Sequence, residues 1–314
     1  MKEIGGYFGL EDLMHKEYYT DVIAFNTARN ALLYLVQAYN MSKIYIPYYL
    51  CDCIQDTMVD NGVSTEKYHV GDNFEPLFAK ELGESEYILI VNFYGQIHAK
   101  KAKALQNKYN NVILDNTQAF FQQPIKSMPT IYSCRKFFGV PDGAYLTTEI
   151  ILSDKFETDI SKDRMQHILG RFEGNASDYY SDFKKNDADL ANEPIKLMSK
   201  LTRNLMGAIN YQKVIAKRNG NFKYLHDKLR DLNQLNLSVP TGPFAYPFYT
   251  EKAPEIRKRL AEKKIYIPVL WPNVLEDQGA SELEHRYAEC ILPIPCDQRY
   301  DSNDLNRIIK EMRV

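Results

Sequence analysis

Through the first half of the chain, short β-prone runs alternate with longer segments whose apolar residues recur every three to four positions. Ile44-Tyr45-Ile46, stopped by Pro47, reads as a strand, as do residues 66–70, Val112-Ile113-Leu114 and the stretch 130–133. Tyr87-Ile88-Leu89-Ile90-Val91 is almost continuously apolar, the pattern of a parallel strand covered on both faces. Between these runs, Asn26-Thr27 predicts an N-cap, followed by a helix with Leu32, Leu33, Leu35, Val36 and Tyr39 on one face. A second helix is predicted over 52–60, ended near Gly62, and a lysine-rich one over 99–109. Residues 144–148 return as a further strand. The βαβ rhythm predicts an α/β fold around a mostly parallel central sheet.

The pattern changes after residue 153. Residues 153–191 are polar and acidic and read as a loop-rich or weakly helical connector, after which helical periodicity resumes over 194–232. In the last part of the chain, 244–249 and 265–270 read as strands flanking a helix over 253–263. Ile291-Leu292-Pro293-Ile294-Pro295 is extended, and Ser302 is placed as the cap of a final helix. The expected organisation is a large α/β domain over 1–193, including the connector 153–193. A helical linker over 194–235 and a small α+β domain over 236–314 complete it.

At 314 residues the chain is long enough to bury a large core. A net charge of −2 gives no electrostatic case for nucleic acid or an anionic membrane. No apolar run approaches the roughly 20 residues needed to span a bilayer, and Met1-Lys2-Glu3-Ile4-Gly5-Gly6 has no apolar signal core. Five scattered cysteines point to free thiols in a reducing compartment, so a cytoplasmic protein is expected. Cys51-x-Cys53 has the look of a metal clip but lacks a second cluster at zinc spacing, and no metal is expected.

The candidate chemistry lies at strand ends. Parallel α/β sheets bind ligands at the carboxyl ends of their strands, which puts Asp115, Ser133 and Lys136 on one rim. A free lysine is a poor nucleophile until desolvation or nearby positive charge lowers its pKa. Arg135 supplies such charge or meets an anionic ligand. Lys136 could be one of many surface lysines, yet Gly139 and Gly143 follow it, and glycine lets a backbone approach a ligand closely. Asp115 suits a turn with Asn116-Thr117, or a buried partner for a pyridinium nitrogen. Gln118 is a turn residue or reaches a cofactor's phenolic oxygen.

A strand-end acid with a strand-end lysine is the pair that holds pyridoxal 5′-phosphate. The amine binds its aldehyde, and the acid keeps the ring nitrogen protonated so that the ring acts as an electron sink. Its phosphate needs donors, and the helix opening at Ala28, Arg29 and Asn30 offers unpaired N–H groups and a favourable dipole. Ser133 is a second donor.

Several segments occur in one order: Gly5-Gly6-Tyr7-Phe8-Gly9-Leu10-Glu11, Ala28-Arg29-Asn30-Ala31-Leu32, Asn92-Phe93-Tyr94-Gly95-Gln96, Asp115-x-x-Gln118 and Lys136 followed by Asp142-Gly143. Together they resemble the DegT/StrS-type sugar aminotransferases, pyridoxal phosphate enzymes of the aspartate-aminotransferase (type I) fold. Leu292-Pro293-Ile294-Pro295-Cys296-Asp297-Gln298-Arg299-Tyr300 resembles a C-terminal segment of such proteins. The resemblance implies that Lys136 is the Schiff-base lysine, Asp115 the partner of the pyridine nitrogen, Gln118 a neighbour of the ring oxygen and Ser133 a phosphate ligand. It places Ala28, Arg29 and Asn30 at the phosphate loop. For the side chain covering the ring, family spacing points to Cys51 and stacking chemistry to Tyr48 or Tyr49. Trp271 and Tyr300 stand at the substrate entrance or pack the small domain.

The resemblance further implies a homodimer that aminates a nucleotide-linked keto-sugar, with glutamate as donor, in surface-polysaccharide or amino-sugar biosynthesis. Ser133 stands only three residues before Lys136, and Ala144 follows Gly143. That spacing also suits a pyridoxal phosphate enzyme of different chemistry, a sugar dehydratase or an amino-acid-transforming enzyme. A third reading is a non-catalytic binding or assembly protein that keeps the fold.

Overall fold

The computed structural model describes residues 4–13, 16–191 and 193–312. The first three residues of the N-terminal stretch examined for a signal core lie outside the described residues. So do residue 192 of the connector and the last two of the small domain. Among the described residues, eight strands form one sheet: β1 (Ile23–Phe25), β2 (Lys43–Pro47), β3 (Ser64–Val70), β4 (Pro76–Leu77), β5 (Glu86–Val91), β6 (Val112–Asp115), β7 (Thr130–Ser133) and β8 (Ala144–Thr147). Their order is β1-β8-β7-β6-β5-β2-β3-β4. The five from β7 to β3 are mutually parallel, and antiparallel β8 and β4 flank them.

The central strands are covered on both faces, as their apolar runs require. Ile131 and Leu146 pair across β7 and β8 and join one hydrophobic cluster. Their neighbours Tyr132 and Tyr145 pair in the same ladder and join another, with Phe120 and Phe138. Alternation along a strand sends successive side chains to opposite faces, so two cores sandwich the sheet.

Connections follow the predicted rhythm. Helix α1 (Ala28–Ala38) follows β1, α2 (Asp52–Asp60) follows β2 and α3 (Ala99–Tyr109) follows β5. Thr27 caps α1, its hydroxyl accepting from the Asn30 N–H at 3.1 Å. β1 is antiparallel to β8, which is antiparallel to β7. Two reversals make β1 run with the parallel strands, so α1 starts on the rim where β6 and β7 end.

Of the two expected forms the connector takes the helical one, with α4 (Gln166–Glu173) and α5 (Tyr180–Ala191). Their composition is polar because little of either is buried. What holds them is specific: a Cβ at Gly170 would stand 2.4 Å from the Tyr179 ring, so glycine permits that close approach. On α5, buried Asn186 donates to the Pro141 carbonyl at 2.9 Å. Helices α6 (Lys200–Gly207) and α7 (Tyr211–Leu229) follow.

The C-terminal part comprises β9 (Tyr246–Tyr249), α8 (Ala253–Glu262), α9 (Glu282–Cys290), β10 (Ile291–Ile294) and α10 (Ser302–Met312), with β9 and β10 pairing antiparallel. The expected strand over 265–270 does not form. Ile267 is buried and Tyr266 exposed, but β9 and β10 pair only with each other, and the stretch starts with the Ile265 N–H closing the end of α8 on the Leu260 carbonyl. The cap of α10 is Asp301, not Ser302: its carboxylate accepts from the Asn303 and Asp304 N–H groups.

Candidate active site

The turn after β7 is tight. The Cys134 carbonyl accepts from the N–H groups of both Phe137 and Phe138, which folds the chain back at Lys136. Gly143 closes the turn with φ +119°, and a Cβ there would meet Thr202 and Cys134 carbons at 3.1 and 3.2 Å, so glycine is required. Its N–H donates to the Asn26 carbonyl, tying the lysine turn to the start of α1. Asp142 just before it is fully buried and accepts from the Ser199 N–H and hydroxyl at 2.8 Å and from the Thr202 hydroxyl. Burial raises its pKa, and those donors oppose the rise. This acid braces the turn and holds Ser199, the N-cap of α6.

Lys136 Nζ donates to the Thr117 hydroxyl at 3.0 Å. Thr117 belongs to the loop after β6, where its own N–H is held by the Asp115 carboxylate at 2.8 Å. The side chain of Asp115 is thus anchored through one oxygen at the strand end, 8% exposed. Buried Gln118 accepts the Tyr94 N–H at 2.8 Å through its amide oxygen, fixing the backbone where Tyr94 takes φ +54°. Asn92 holds the same junction from the other side. Its amide accepts from the Ile97 N–H and donates to the Ile97 carbonyl, Asn116 and Gln122.

These elements surround a cavity of about 190 Å³. Lys136, Asp115, Gln118, Ser133, Ala28 and Arg29 all line it, with Thr27, Thr117, Arg135 and Gly143. Its apolar wall includes Leu32, Leu50, Ile54 and Val91. The sequence-predicted residues therefore converge, with one exception. Asn30 does not line the cavity: its side chain donates to Asn26 and to the Pro194 carbonyl at 2.8 and 2.7 Å, so it fastens the segment before α6 to α1. Ala28 and Arg29 sit in the first turn of α1, where N–H groups have no partner within the helix. Arg29 reaches back to the Leu190 carbonyl of α5 at 3.2 Å, and Arg135 pairs with Asp187 on the same helix.

Position separates the three candidates after Pro47. Tyr49 is fully buried with its hydroxyl on the Tyr287 carbonyl, and Tyr48 stacks on His69 at 4.7 Å between centroids. Neither faces the cavity; Cys51 does, together with Cys53. Cys51 caps α2 without a side-chain bond to it. A hydrogen bond from Cys51 and then the Arg29 guanidinium pull the Cys53 thiol down to about 6, against burial that pushes it up. Cys51, giving that bond, is pushed up, first by the shared proton and then by burial.

Trp271 also lines the cavity, at φ +57° and packed edge-on against Tyr49 at 4.7 Å. Tyr300 lies instead beneath the Arg299 guanidinium, 5.2 Å from its ring centre, and is not among the lining residues. Thr117 had been readable only as a turn residue beside Asp115. Its hydroxyl is a lysine partner because the Asp115 carboxylate turns the loop back over the strand end.

The donor set is an amine, a strand-end carboxylate, a hydroxyl, an amide and a helix start with a guanidinium. It fits an aromatic aldehyde that carries a protonatable ring nitrogen and an anionic phosphate. Among the described residues, no group of three or more histidine, cysteine or acidic side chains is placed to hold a metal ion.

No protein-family model and no curated protein matches the chain. Solved structures do. A DegT DnrJ EryC1 StrS aminotransferase from Brucella abortus superposes with a TM-score of 0.62 at 12% identity, over 93% of this chain and 85% of that one. Spr1654 from Streptococcus pneumoniae, solved in a PLP form, gives 0.64 at 13% identity, over 93% and 86%. DesI, solved in the presence of its TDP-sugar product, gives 0.64 at 13%, over 93% and 79%. The chain has the fold of these proteins.

Proposed function

We propose that this chain is a pyridoxal phosphate-dependent aminotransferase that passes an amino group, with glutamate as donor, to a nucleotide-linked keto-sugar. The observation that carries the reading is the convergence of Lys136, Asp115, Gln118, Ser133 and the start of α1 on one cavity. Its support from elsewhere is the shared fold: one neighbour was solved in a PLP form and another with a TDP-sugar product.

Each residue has a role in this reading. Lys136 would hold the cofactor's aldehyde carbon, and its amine is placed to take and return a proton at an amino donor's α-carbon. Thr117 holds the lysine amine in place through the 3.0 Å bond. Asp115 would meet the ring nitrogen and keep it protonated, Gln118 would meet the ring oxygen, and Ser133, Ala28 and Arg29 would receive the phosphate. Cys51 would stand against the ring, and Trp271 forms part of the cavity wall, packed on Tyr49 and Phe93. The cofactor supplies the electron sink that makes the α-proton acidic.

The enzyme acts as a homodimer, in amino-sugar or surface-polysaccharide synthesis. Supporting the dimer are Tyr7 and Phe8 of the N-terminal arm, 98 and 96% exposed, which apolar contact with a second copy would cover. Five free cysteines support a cytoplasmic setting, and among the described residues no helix is long and apolar enough to cross a membrane.

The test is a half-reaction. The protein loaded with pyridoxal phosphate is mixed with glutamate and followed by absorbance, with 2-oxoglutarate measured in parallel. Bleaching of the visible band with stoichiometric 2-oxoglutarate is expected. A band that no amino donor bleaches would exclude aminotransfer and leave a different pyridoxal phosphate chemistry.

A further inference from the structure

Among the described residues the Cys51-x-Cys53 pair is not part of a metal cluster, and the proposed reaction gives Cys53 no role. Both sulfurs belong to residues that line the Lys136 cavity, and both residues are partly exposed there. Cys134, Cys290 and Cys296 are buried elsewhere.

Local geometry suits a bond between the two. Cys51 is the extended N-cap of α2 and Asp52 its first helical residue. A helical residue between two others sets their Cα atoms about 5.4 Å apart, from the radius and rise of the helix. Disulfides are found at Cα separations of about 4.4–6.8 Å. The convergence of both side chains on one cavity supplies the direction that separation alone does not.

Position supplies reactivity. The start of α2 places unpaired N–H groups and the positive end of a helix dipole beside Cys53. The charged groups facing the pair are Arg29 from α1, Lys136 from the turn after β7 and Asp115 from the end of β6. Arg29 and Lys136 favour a thiolate on Cys53, and thiolates are the form that attacks.

We propose that Cys51 and Cys53 form a reversible dithiol–disulfide pair in the wall of the cofactor cavity, open to peroxide-class oxidants only while that cavity is empty. The Cys53 thiolate attacks one peroxide oxygen, the O–O bond breaks and hydroxide leaves, giving a sulfenic acid. Cys51 sulfur then attacks the Cys53 sulfur, the S–O bond breaks and water leaves with the Cys51 proton. Peroxide is reduced by two electrons and the pair oxidised by two; an added dithiol reverses it. Formation of the disulfide stands on the cavity alone, whereas its dependence on cofactor rests on the function proposed above.

The experiment treats the full-length protein, with and without pyridoxal phosphate, with hydrogen peroxide. Remaining thiols are then alkylated, and intact and peptide masses are read. Without cofactor, the expected result is a mass lower by two hydrogens, with the bond mapped to the peptide holding both cysteines and reversal by dithiothreitol. Cys51→Ser should instead leave a dimedone-trappable sulfenic acid on Cys53. The rate should fall about tenfold per pH unit below about pH 6, as the thiolate is lost. If both thiols remain fully alkylatable after peroxide in the folded protein, the proposal is overturned. Cofactor loading, verified by the visible band, should slow the reaction at least about fivefold. A loaded protein that oxidises at the unloaded rate overturns the protection. Absence of any band overturns the cofactor reading and the protection with it, while the mass result still decides the disulfide.

Discussion

Arg218 offers a quantitative test of how the lysine turn is held. It lies on α7, 2% exposed, and its guanidinium forks across three chain segments. One amino group donates to the Pro243 carbonyl at 2.8 Å, the other to the Phe137 carbonyl at 3.1 Å, and Nε to the Gln298 side-chain oxygen at 2.8 Å. The plane also stacks over the Phe137 ring at 4.6 Å. Phe137 directly follows Lys136, so this fork positions the reactive turn from behind. Arg218→Met conserves length and apolar contact while removing the donors. The Phe137 carbonyl keeps the Gln298 amide at 3.0 Å, whereas the Pro243 carbonyl is left with only the Cys296 sulfur at 3.7 Å, and the Gln298 oxygen loses its donor.

Loss of the strong donor costs about 1–3 kcal/mol at the buried Pro243 carbonyl and less at the half-buried Gln298 oxygen, which water can reach. Burial works against the guanidinium, lowering its pKa, and relief of that desolvation returns part of the loss. A net destabilisation of about 1–3 kcal/mol is expected from these terms. Arg218→Lys should recover little of it, because a point ammonium cannot serve three acceptors in one plane. Urea denaturation followed by circular dichroism and by Trp271 fluorescence measures this as a lower midpoint at unchanged slope. A loss below about 1 kcal/mol for Arg218→Met would refute the reasoning, since the buried Pro243 carbonyl would then have lost its strong donor at almost no cost.

Three further outcomes are expected. Asp115→Asn keeps an oxygen for the Thr117 N–H, so stability should move by less than about 1 kcal/mol, while pyridoxal phosphate affinity measured by absorbance titration should fall tenfold or more with the loss of a charged partner worth about 1.5–3 kcal/mol. Asn92→Ala removes both donors and the acceptor that join the 92–97 loop to Asn116 and Gln122; chemical denaturation should show about 2–4 kcal/mol lost, and a loss under about 1 kcal/mol would mean that water replaces the amide. Gly242→Ala puts a Cβ 2.1 Å from Phe121 at φ +54°, and calorimetry should register a lower Tm by several degrees, from about 1–3 kcal/mol of overpacking.

Much of the fold was legible because local signals and tertiary structure agree. The Thr27 cap and the helices over 28–38, 52–60 and 99–109 follow from short-range chemistry, and the apolar run at β5 needed only two covered faces. What escaped depends on distant partners. The strand β1 is three residues long and exists because β8 lies beside it. The α4–α5 helices bury so little that composition conceals them. The stretch 265–270 carries strand-like residues but joins neither ladder, and it opens on the hydrogen bond that closes α8. Helix α9 is the instructive omission, since its capping box, Ser281 with Glu284, is a short-range signal.

The candidate site divides the same way. Asp115, Ser133 and Lys136 were placed on one rim by a rule about parallel sheets, and Ala28 and Arg29 by a helix start. Asn30 was carried along by adjacency, but one residue further on, a helix has turned its side chain toward the segment before α6. Stacking chemistry nominated Tyr48 and Tyr49, but residue preference says nothing of direction: one is consumed by His69 and the other by the core. Thr117 and Trp271 enter through loop geometry that no periodicity encodes.

The central claim is that Lys136 holds pyridoxal phosphate in this cavity. Its most direct measurement is borohydride reduction of the protein incubated with pyridoxal phosphate, followed by peptide mass mapping. The account predicts a visible band that reduction abolishes, a single stable phosphopyridoxyl group on Lys136, and loss of both in Lys136→Ala, a variant that folds as the parent does. Label spread over surface lysines, or a band that persists in Lys136→Ala, would contradict it.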